Sequence, residues 1–192
     1  MIQFPIPLIG FSALSGTGKT TLLTQILPIL KQHGLRIGAI KHAHHQFEID
    51  HQKKDSYRLR KAGAEQMLVA SRGRVALITE LPEQQEEPTL EVLLKSLDPT
   101  CLDLVLVEGF KKERFPKIEL HRPSLGKRLL YPDDPDIIAI ATDDHLSTRP
   151  CHIPVLNLNQ PLAIADFLLD YCFHQERQPL SRLPLREQRQ LQ

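Results

Sequence analysis

The amino-acid sequence predicts a three-layer α/β fold with a mostly parallel central sheet and an added β-hairpin. Three observations carry that prediction. Short apolar runs alternate with segments of helical period along most of the chain, the pattern of parallel strands joined by helical crossovers. The chain up to Ile40 reads as strand, glycine-rich turn, helix and strand. Leu102 to Val107 is an almost unbroken apolar run, as expected of a central strand covered on both faces.

Taken in order, Ile6 to Phe11 is a short buried strand closed by the glycine-rich turn. Thr20 to Gln32 is a helix, with Leu22, Leu23, Ile26, Leu27 and Leu30 at helical spacing. Pro28 inside it predicts a kink, and Gly34 just beyond it suits a left-handed C-terminal cap. Arg36 to Ile40 completes a right-handed βαβ unit. A polar, histidine-rich loop runs from Lys41 to Lys54. Asp55 or Ser56 then caps a short helix to about Ala62, ended by Gly63. Gln66 to Ala70 and Val75 to Thr79 pair as the hairpin, turned at Arg72-Gly73. Pro82 to Pro88 is an acidic linker, followed by a helix from Thr89 to Leu97. Lys117 to Leu120, Ile137 to Ala141 and Pro154 to Leu158 supply further strands, and Leu162 to Phe173 the last helix. Residues 1–174 read as one nucleotide-binding domain. Residues 175–192, rich in Arg, Gln, Pro and Leu without periodicity, read as a flexible tail.

Composition narrows the function class. The 192 residues are 41% hydrophobic and 24% charged, with a formal net charge of +1, so no global basic field points to nucleic acid. The three cysteines (Cys101, Cys151 and Cys172) form no Cys-x-x-Cys pair, which fits a reducing compartment. The apolar N-terminus lacks a basic leader and runs straight into the glycine-rich turn, and no apolar stretch reaches membrane-spanning length. The expectation is a soluble cytoplasmic protein with neither a membrane nor a nucleic-acid partner.

Ala13 to Thr20 has the Walker A pattern, with Ala13 in place of the usual first glycine. Gly16 and Gly18 stand where the backbone must approach phosphate closely. Amides from Ser15, Gly16, Thr17, Gly18 and the helix start through Thr21 would surround the phosphates with donors at the positive end of the helix dipole. Lys19 would reach the β- and γ-phosphates, and the Thr20 hydroxyl would bind Mg2+. A chance Gly-Lys-Thr in a glycine turn is the bland alternative; the strand before and helix after argue against it. The architecture is thereby a P-loop NTPase fold.

Such a site needs an acid, and Glu108 ends the apolar run Leu102 to Val107 at the carboxyl edge where open α/β sheets bind ligands. Glu108 is therefore the second candidate for Mg2+ and, with Lys19, for catalysis. Asp103, at the other end of the run, reads as a solvated or capping residue. The loop after the second strand carries Lys41, His42, His44, His45, Asp50 and Asp55. One extended His-x-His-His segment cannot by itself converge on zinc. A polar switch loop beside the γ-phosphate is the better reading, with Asp50 or Asp55 near the metal and a plain solvated loop as the alternative. After the Ile137 strand comes Thr142-Asp143-Asp144. Asp143 is the candidate acceptor for the guanine N1 and N2 donors, with Asp144 behind it and an acidic capping turn as the competing reading.

Four ordered motifs carry a resemblance. They are Ser-Gly-Thr-Gly-Lys-Thr-Thr-Leu at 15–22, Ile40-Lys41-His42-Ala43-His44-His45 with Asp50, Lys54-Asp55-Ser56-Tyr57-Arg58 with Ala62-Gly63-Ala64, and Val107-Glu108-Gly109-Phe110-Lys111 with Pro116-Lys117-Ile118. From Ile6 to about Phe173 the chain resembles the MobB family, adapters of molybdopterin-guanine dinucleotide biosynthesis. That family tolerates alanine at the position of Ala13, and often has glycine where this chain has Lys53. The resemblance implies a GTP-binding, weakly GTP-hydrolysing homodimer. It also implies a partner, the guanylyltransferase MobA, which joins GMP from GTP to molybdopterin; Lys41, His42 and Lys111 are the candidate anion contacts in this sequence. A small-molecule kinase is the alternative, since many share this βαβ start. Kinases add an arginine-bearing lid and a base near the acceptor. No compact lid stands out, although Arg72, Arg74, Arg122 and Arg128 fall in or near loops.

Overall fold

A computed structural model of the chain describes residues 1–43, 47–82, 87–144, 146 and 152–174. His44, His45, Cys151 and the 175–192 segment lie outside the described residues. The elements run β1 (Leu8–Ser12), α1 (Lys19–Gln32), β2 (Ile37–Lys41), α2 (Asp55–Lys61), β3 (Gln66–Ser71), β4 (Arg74–Thr79), α3 (Leu90–Leu94), β5 (Leu104–Glu108), β6 (Lys117–His121), β7 (Ile137–Thr142), β8 (Val155–Asn157) and α4 (Pro161–Leu169). Within the stretch read as one domain, contacts cluster into two compact units, residues 43–89 and the remainder.

The larger unit holds a six-stranded sheet in the order β2-β5-β1-β6-β7-β8. Every neighbouring pair is parallel. One face carries Ile9, Phe11, Leu104, Leu106, Ile118, Leu120, Ala139 and Ala141 against Leu22, Ile26 and Leu30 of α1 and Ile164, Ala165 and Leu168 of α4. The other carries Leu8, Val105 and Val107 against Leu90 and Leu94 of α3 and Phe115. Helix, sheet, helix: the three layers are those expected from the apolar strands. α1 continues unbroken through Pro28. Burying each of its three core residues stabilises it by about 1.5–3 kcal/mol, which together exceeds the ~3 kcal/mol cost of an interior proline. Gly34 caps it at φ 83°, the left-handed conformation the sequence called for.

β6 departs from its neighbours. Lys117, Glu119 and His121 alternate with Ile118 and Leu120, yet the polar three are only 1%, 1% and 9% exposed. Each of the first two is paired. Lys117 Nζ donates to the Glu113 carbonyl at 2.7 Å and meets Asp134 at 3.0 Å. The Glu119 carboxylate accepts from the amides of Leu130 at 2.7 Å and Tyr131 at 2.8 Å. Residues 122–136 thus arch over this polar stripe. Gly10 on β1 makes room beside it: a Cβ there would lie 2.6 Å from the Phe115 ring and 2.7 Å from Lys117 Cγ.

In the smaller unit, β3 and β4 pair antiparallel from Gln66↔Thr79 to Ser71↔Arg74, turning at Arg72-Gly73 as expected. Its organising group is polar. Arg60 is buried and ion-pairs with Glu48 at 2.8 Å, Asp50 at 3.9 Å and Glu80.

Several boundaries differ from the sequence reading, for physical reasons. Lys54 rather than Asp55 or Ser56 occupies the N-cap of α2; Asp55 is its first residue and pairs with Arg58 at 3.6 Å. α3 ends at Leu94, because the chain must reach the turn at Pro99–Cys101. α4 stops its regular path at Leu169 and continues as a π-turn over Asp170–His174. Asp103 does more than sit in solvent: it accepts the Arg36 backbone amide at 2.8 Å and clasps the Arg36 guanidinium through both carboxylate oxygens, at 2.8 and 3.0 Å, tying the start of β5 to that of β2.

Candidate functional site

The site forms where β1, β2, β5 and β6 end together. β1 leads into the phosphate loop, and Gly16 and Gly18 adopt φ 83° and 98°, conformations that other residues rarely reach. Ala13 is fully buried, so the one departure from the motif is absorbed by packing. The Thr17 hydroxyl closes the loop from within by donating to the Leu14 carbonyl at 2.7 Å. No side chain caps the N-terminus of α1 at Gly18, and no acid occupies its first turn. The helix therefore presents its amides and its positive dipole end toward the loop. Lys19 Nζ lies 3.4 Å from the Ala13 carbonyl. Partial burial, chiefly, and then the positive charge of Lys111, Lys41 and Lys127 push its pKa below the usual 10.5, against a pull from Glu108.

The strand register supplies the acid. β5 pairs with β1 at Phe11↔Glu108 and with β2 at Lys41↔Glu108, so Glu108 sits beside the loop and opposite Lys41. The Thr20 hydroxyl donates to its carboxylate, 3.1 Å from Oε1 and 3.2 Å from Oε2. Lys41 Nζ is 3.3 Å from Oε2. An all-oxygen set of Thr20 and Glu108 beside phosphate amides fits a hard divalent cation such as Mg2+. Gly109 then turns at φ 106° with Phe110 at φ 52°, and a Cβ on Gly109 would lie 2.5 Å from His42 Cβ. The His42 ring packs against Phe110 at a tilt of 32°, centroids 4.8 Å apart, and the His42 amide donates to the Glu108 carbonyl at 2.8 Å. Glu108 is held in place from both sides.

Of the residues singled out from sequence, the structure brings together Lys19, Thr20, Lys41, His42 and Glu108. Asp50 and Asp55 belong to the smaller unit, where Asp50 faces Arg60 and Asp55 faces Arg58. Asp143, at the end of β7, is ion-paired with Arg122; its Oδ1 is buried without a hydrogen-bond partner among the described residues.

Two cations stand closer to the loop than sequence reasoning anticipated. Arg122 Nε donates to the Thr17 carbonyl at 2.9 Å, and Lys127 Nζ donates to the Ser15 carbonyl. Neither belongs to a spaced motif. Arg122 could have been found from its place one residue after β6, on the carboxyl edge of the sheet. Lys127 is delivered by a turn at Pro123–Leu125 and Gly126, and its neighbours in sequence gave no signal.

Comparison with known proteins places the sequence and the fold. The profile of a family described as "MobB: Molybdopterin guanine dinucleotide synthesis protein B" matches residues 8–143. The chain is 46% identical over 170 residues to the Escherichia coli molybdopterin-guanine dinucleotide biosynthesis adapter protein, covering 86% of this chain and 93% of that one. It is 41% identical over 169 residues to the Haemophilus influenzae adapter, covering 88% and 91%. The crystal structure of Bacillus subtilis MobB superposes with a TM-score of 0.66 at 26% identity, over 87% of this chain and 98% of that one.

Proposed function

The chain belongs to the MobB family, and from that membership we propose that it is a GTP-binding adapter of molybdopterin-guanine dinucleotide biosynthesis. The observation that carries the reading is the convergence of Thr20 and Glu108 behind the loop of Gly16 and Gly18. Mg2+ bound there would neutralise charge on the phosphates. The loop amides and Lys19 would hold the β- and γ-phosphates, and Thr21 would adjoin the α-phosphate. Asp143 would accept from the guanine edge, an arrangement that adenine cannot satisfy. In this reading Lys41, His42 and Lys111 are anion contacts, and Asp50 or Asp55 belongs to a nucleotide-sensitive loop.

The protein works as a homodimer in the cytoplasm, and its partner is the guanylyltransferase MobA acting on molybdopterin. Neither the phosphate loop nor Val107-Glu108-Gly109 holds an arginine finger, and a missing finger lowers GTPase rates by about 10³–10⁵-fold. Intrinsic turnover well below ~1 s⁻¹ is expected, which suits an adapter whose output is a nucleotide-dependent surface. A small-molecule kinase is the second reading, favoured by the proximity of Arg122 and Lys127 to the loop. The test is steady-state GTPase activity alone and with the guanylyltransferase, together with guanylyl transfer to molybdopterin with and without this chain. Fast turnover alone, or no effect on transfer at limiting GTP, refutes the adapter; acceptor-dependent GDP release establishes the kinase.

A further inference from the structure

We propose that Arg122 is the platform on which the purine of the bound nucleotide lies, and that it holds Asp143 at the purine's edge. This rests on the GTP-binding reading and adds a residue that selects the base. The guanidinium is fixed along its edges. Nε donates to the Thr17 carbonyl at 2.9 Å, and Nη1 donates to Asp143 Oδ2. Nη2 lies 3.7 Å from the position a Cβ on Gly18 would take, so the guanidinium flanks the phosphate loop at ordinary contact distance. With Nε and Nη1 bonded the plane of the guanidinium is fixed, its faces are left to offer, and a guanidinium face stacks on an aromatic ring.

The surroundings point the same way. Arg122 lines an open cavity of about 270 Å3 together with Gly18, Thr21, Leu158, Asn159 and Pro161. Thr21 is the last of the phosphate-binding residues and also lines this cavity, so a nucleoside leaving the loop would enter a space lined by a flat cation and by the apolar Leu158 and Pro161. Asp143, the partner of Arg122, lines a second cavity of about 380 Å3 with Thr142, Asp144 and Asn157. Phosphate, purine face and purine edge thus meet Gly18, Arg122 and Asp143 in sequence. The ion pair joins the last two, so platform and edge reader are set by one contact. Asp143 Oδ1, buried and without a hydrogen-bond partner among the described residues, is the acceptor that a base N–H would satisfy once the purine edge is seated.

The test compares the unaltered chain with Arg122→Gln and Arg122→Lys, using GTP, ATP and inorganic tripolyphosphate, each with Mg2+, by calorimetry. Circular dichroism and thermal melting establish that each variant is folded. GTP binding should weaken about tenfold in Arg122→Gln, and the preference for GTP over ATP should shrink, because Asp143 is released as the platform is lost. Tripolyphosphate has no base, so its affinity should change less than threefold. Arg122→Lys keeps the charge without the plane and should lose GTP affinity nearly as far. Equal loss of tripolyphosphate and GTP would reduce Arg122 to a brace for the loop and overturn the platform. Full GTP affinity and selectivity in Arg122→Lys would overturn it as well. An unaltered chain that binds tripolyphosphate but not GTP would refute the GTP-binding function itself.

Discussion

Replacing Glu108 by Gln isolates the metal from the phosphates. In the folded chain Glu108 is 15% exposed in its side chain and accepts from Thr20 while facing Lys41, whose own side chain is 61% exposed. That lysine pair contributes at most about 1 kcal/mol, because one partner is in water. A hydrogen bond to a charged acceptor contributes roughly 1.5–3 kcal/mol, and the glutamine oxygen retains a neutral one of about 0.5–1.5 kcal/mol. The net loss of ~1–2 kcal/mol is small against a stability of about 5–15 kcal/mol, so the variant folds. Binding changes in two opposite ways. Without Mg2+, one negative charge fewer faces the triphosphate, so GTP affinity should hold or rise a few-fold. With Mg2+, the variant should gain little, because its amide is a poor ligand for a hard cation. Calorimetric titration of GTP in excess Mg2+ and in EDTA measures both. A variant whose affinity still rises with Mg2+ as steeply as the unaltered chain would place the metal elsewhere.

Four further predictions follow from the same geometry. Lys19→Ala should abolish measurable GTP binding while leaving the circular dichroism spectrum intact; unchanged affinity in a folded variant would sink the phosphate-loop assignment. In the unaltered chain, the depressed Lys19 pKa means the folded protein binds fewer protons than the unfolded one between that value and 10.5, so this group's contribution to stability rises with pH there. Triphosphate opposes the depression, so titrations at alkaline pH below 10.5 in buffers of different ionisation enthalpy should reveal proton uptake on binding. Asp143→Asn should weaken GTP and improve XTP, whose C2 carbonyl accepts from the new amide; a competition assay with no gain for XTP and no loss for GTP places base recognition elsewhere. Glu119→Gln leaves one of the Leu130 and Tyr131 amides without its acceptor and should cost about 1–3 kcal/mol in urea denaturation, with weaker GTP binding as the arch loosens.

The parts of the fold that were legible in the sequence are those set by local pattern. Leu22, Ile26 and Leu30 mark the buried stripe of α1 whatever surrounds it, and Gly16 and Gly18 declare positive φ because little else tolerates it. Glu108 was legible because a continuous apolar run says buried parallel strand, and the acid at its end falls on the ligand edge. What the sequence concealed is long-range. Arg36 and Asp103 are far apart in the chain, and only the pairing of β2 with β5 brings them together. Arg122 and Asp143 meet for the same reason, across the β6–β7 register that sets His121 beside Thr142.

β6 shows most directly why function was harder to read than fold. Lys-Ile-Glu-Leu-His alternates as a half-solvated strand would, yet both of its faces are covered. Burial opposes the ionised form of Glu119 and raises its pKa, while two backbone amides draw it back. An apolar residue would escape that desolvation cost, but it could not accept from Leu130 and Tyr131. Those amides anchor the far end of residues 122–136, and the near end carries Arg122 and Lys127 to the carbonyls of Thr17 and Ser15. The carboxylate that costs stability inside the sheet therefore fixes the segment that brings two cations to the glycine-rich loop. A residue's type and period reveal whether it suits a strand. They do not reveal what that strand must hold in place, and here the held segment completes the site.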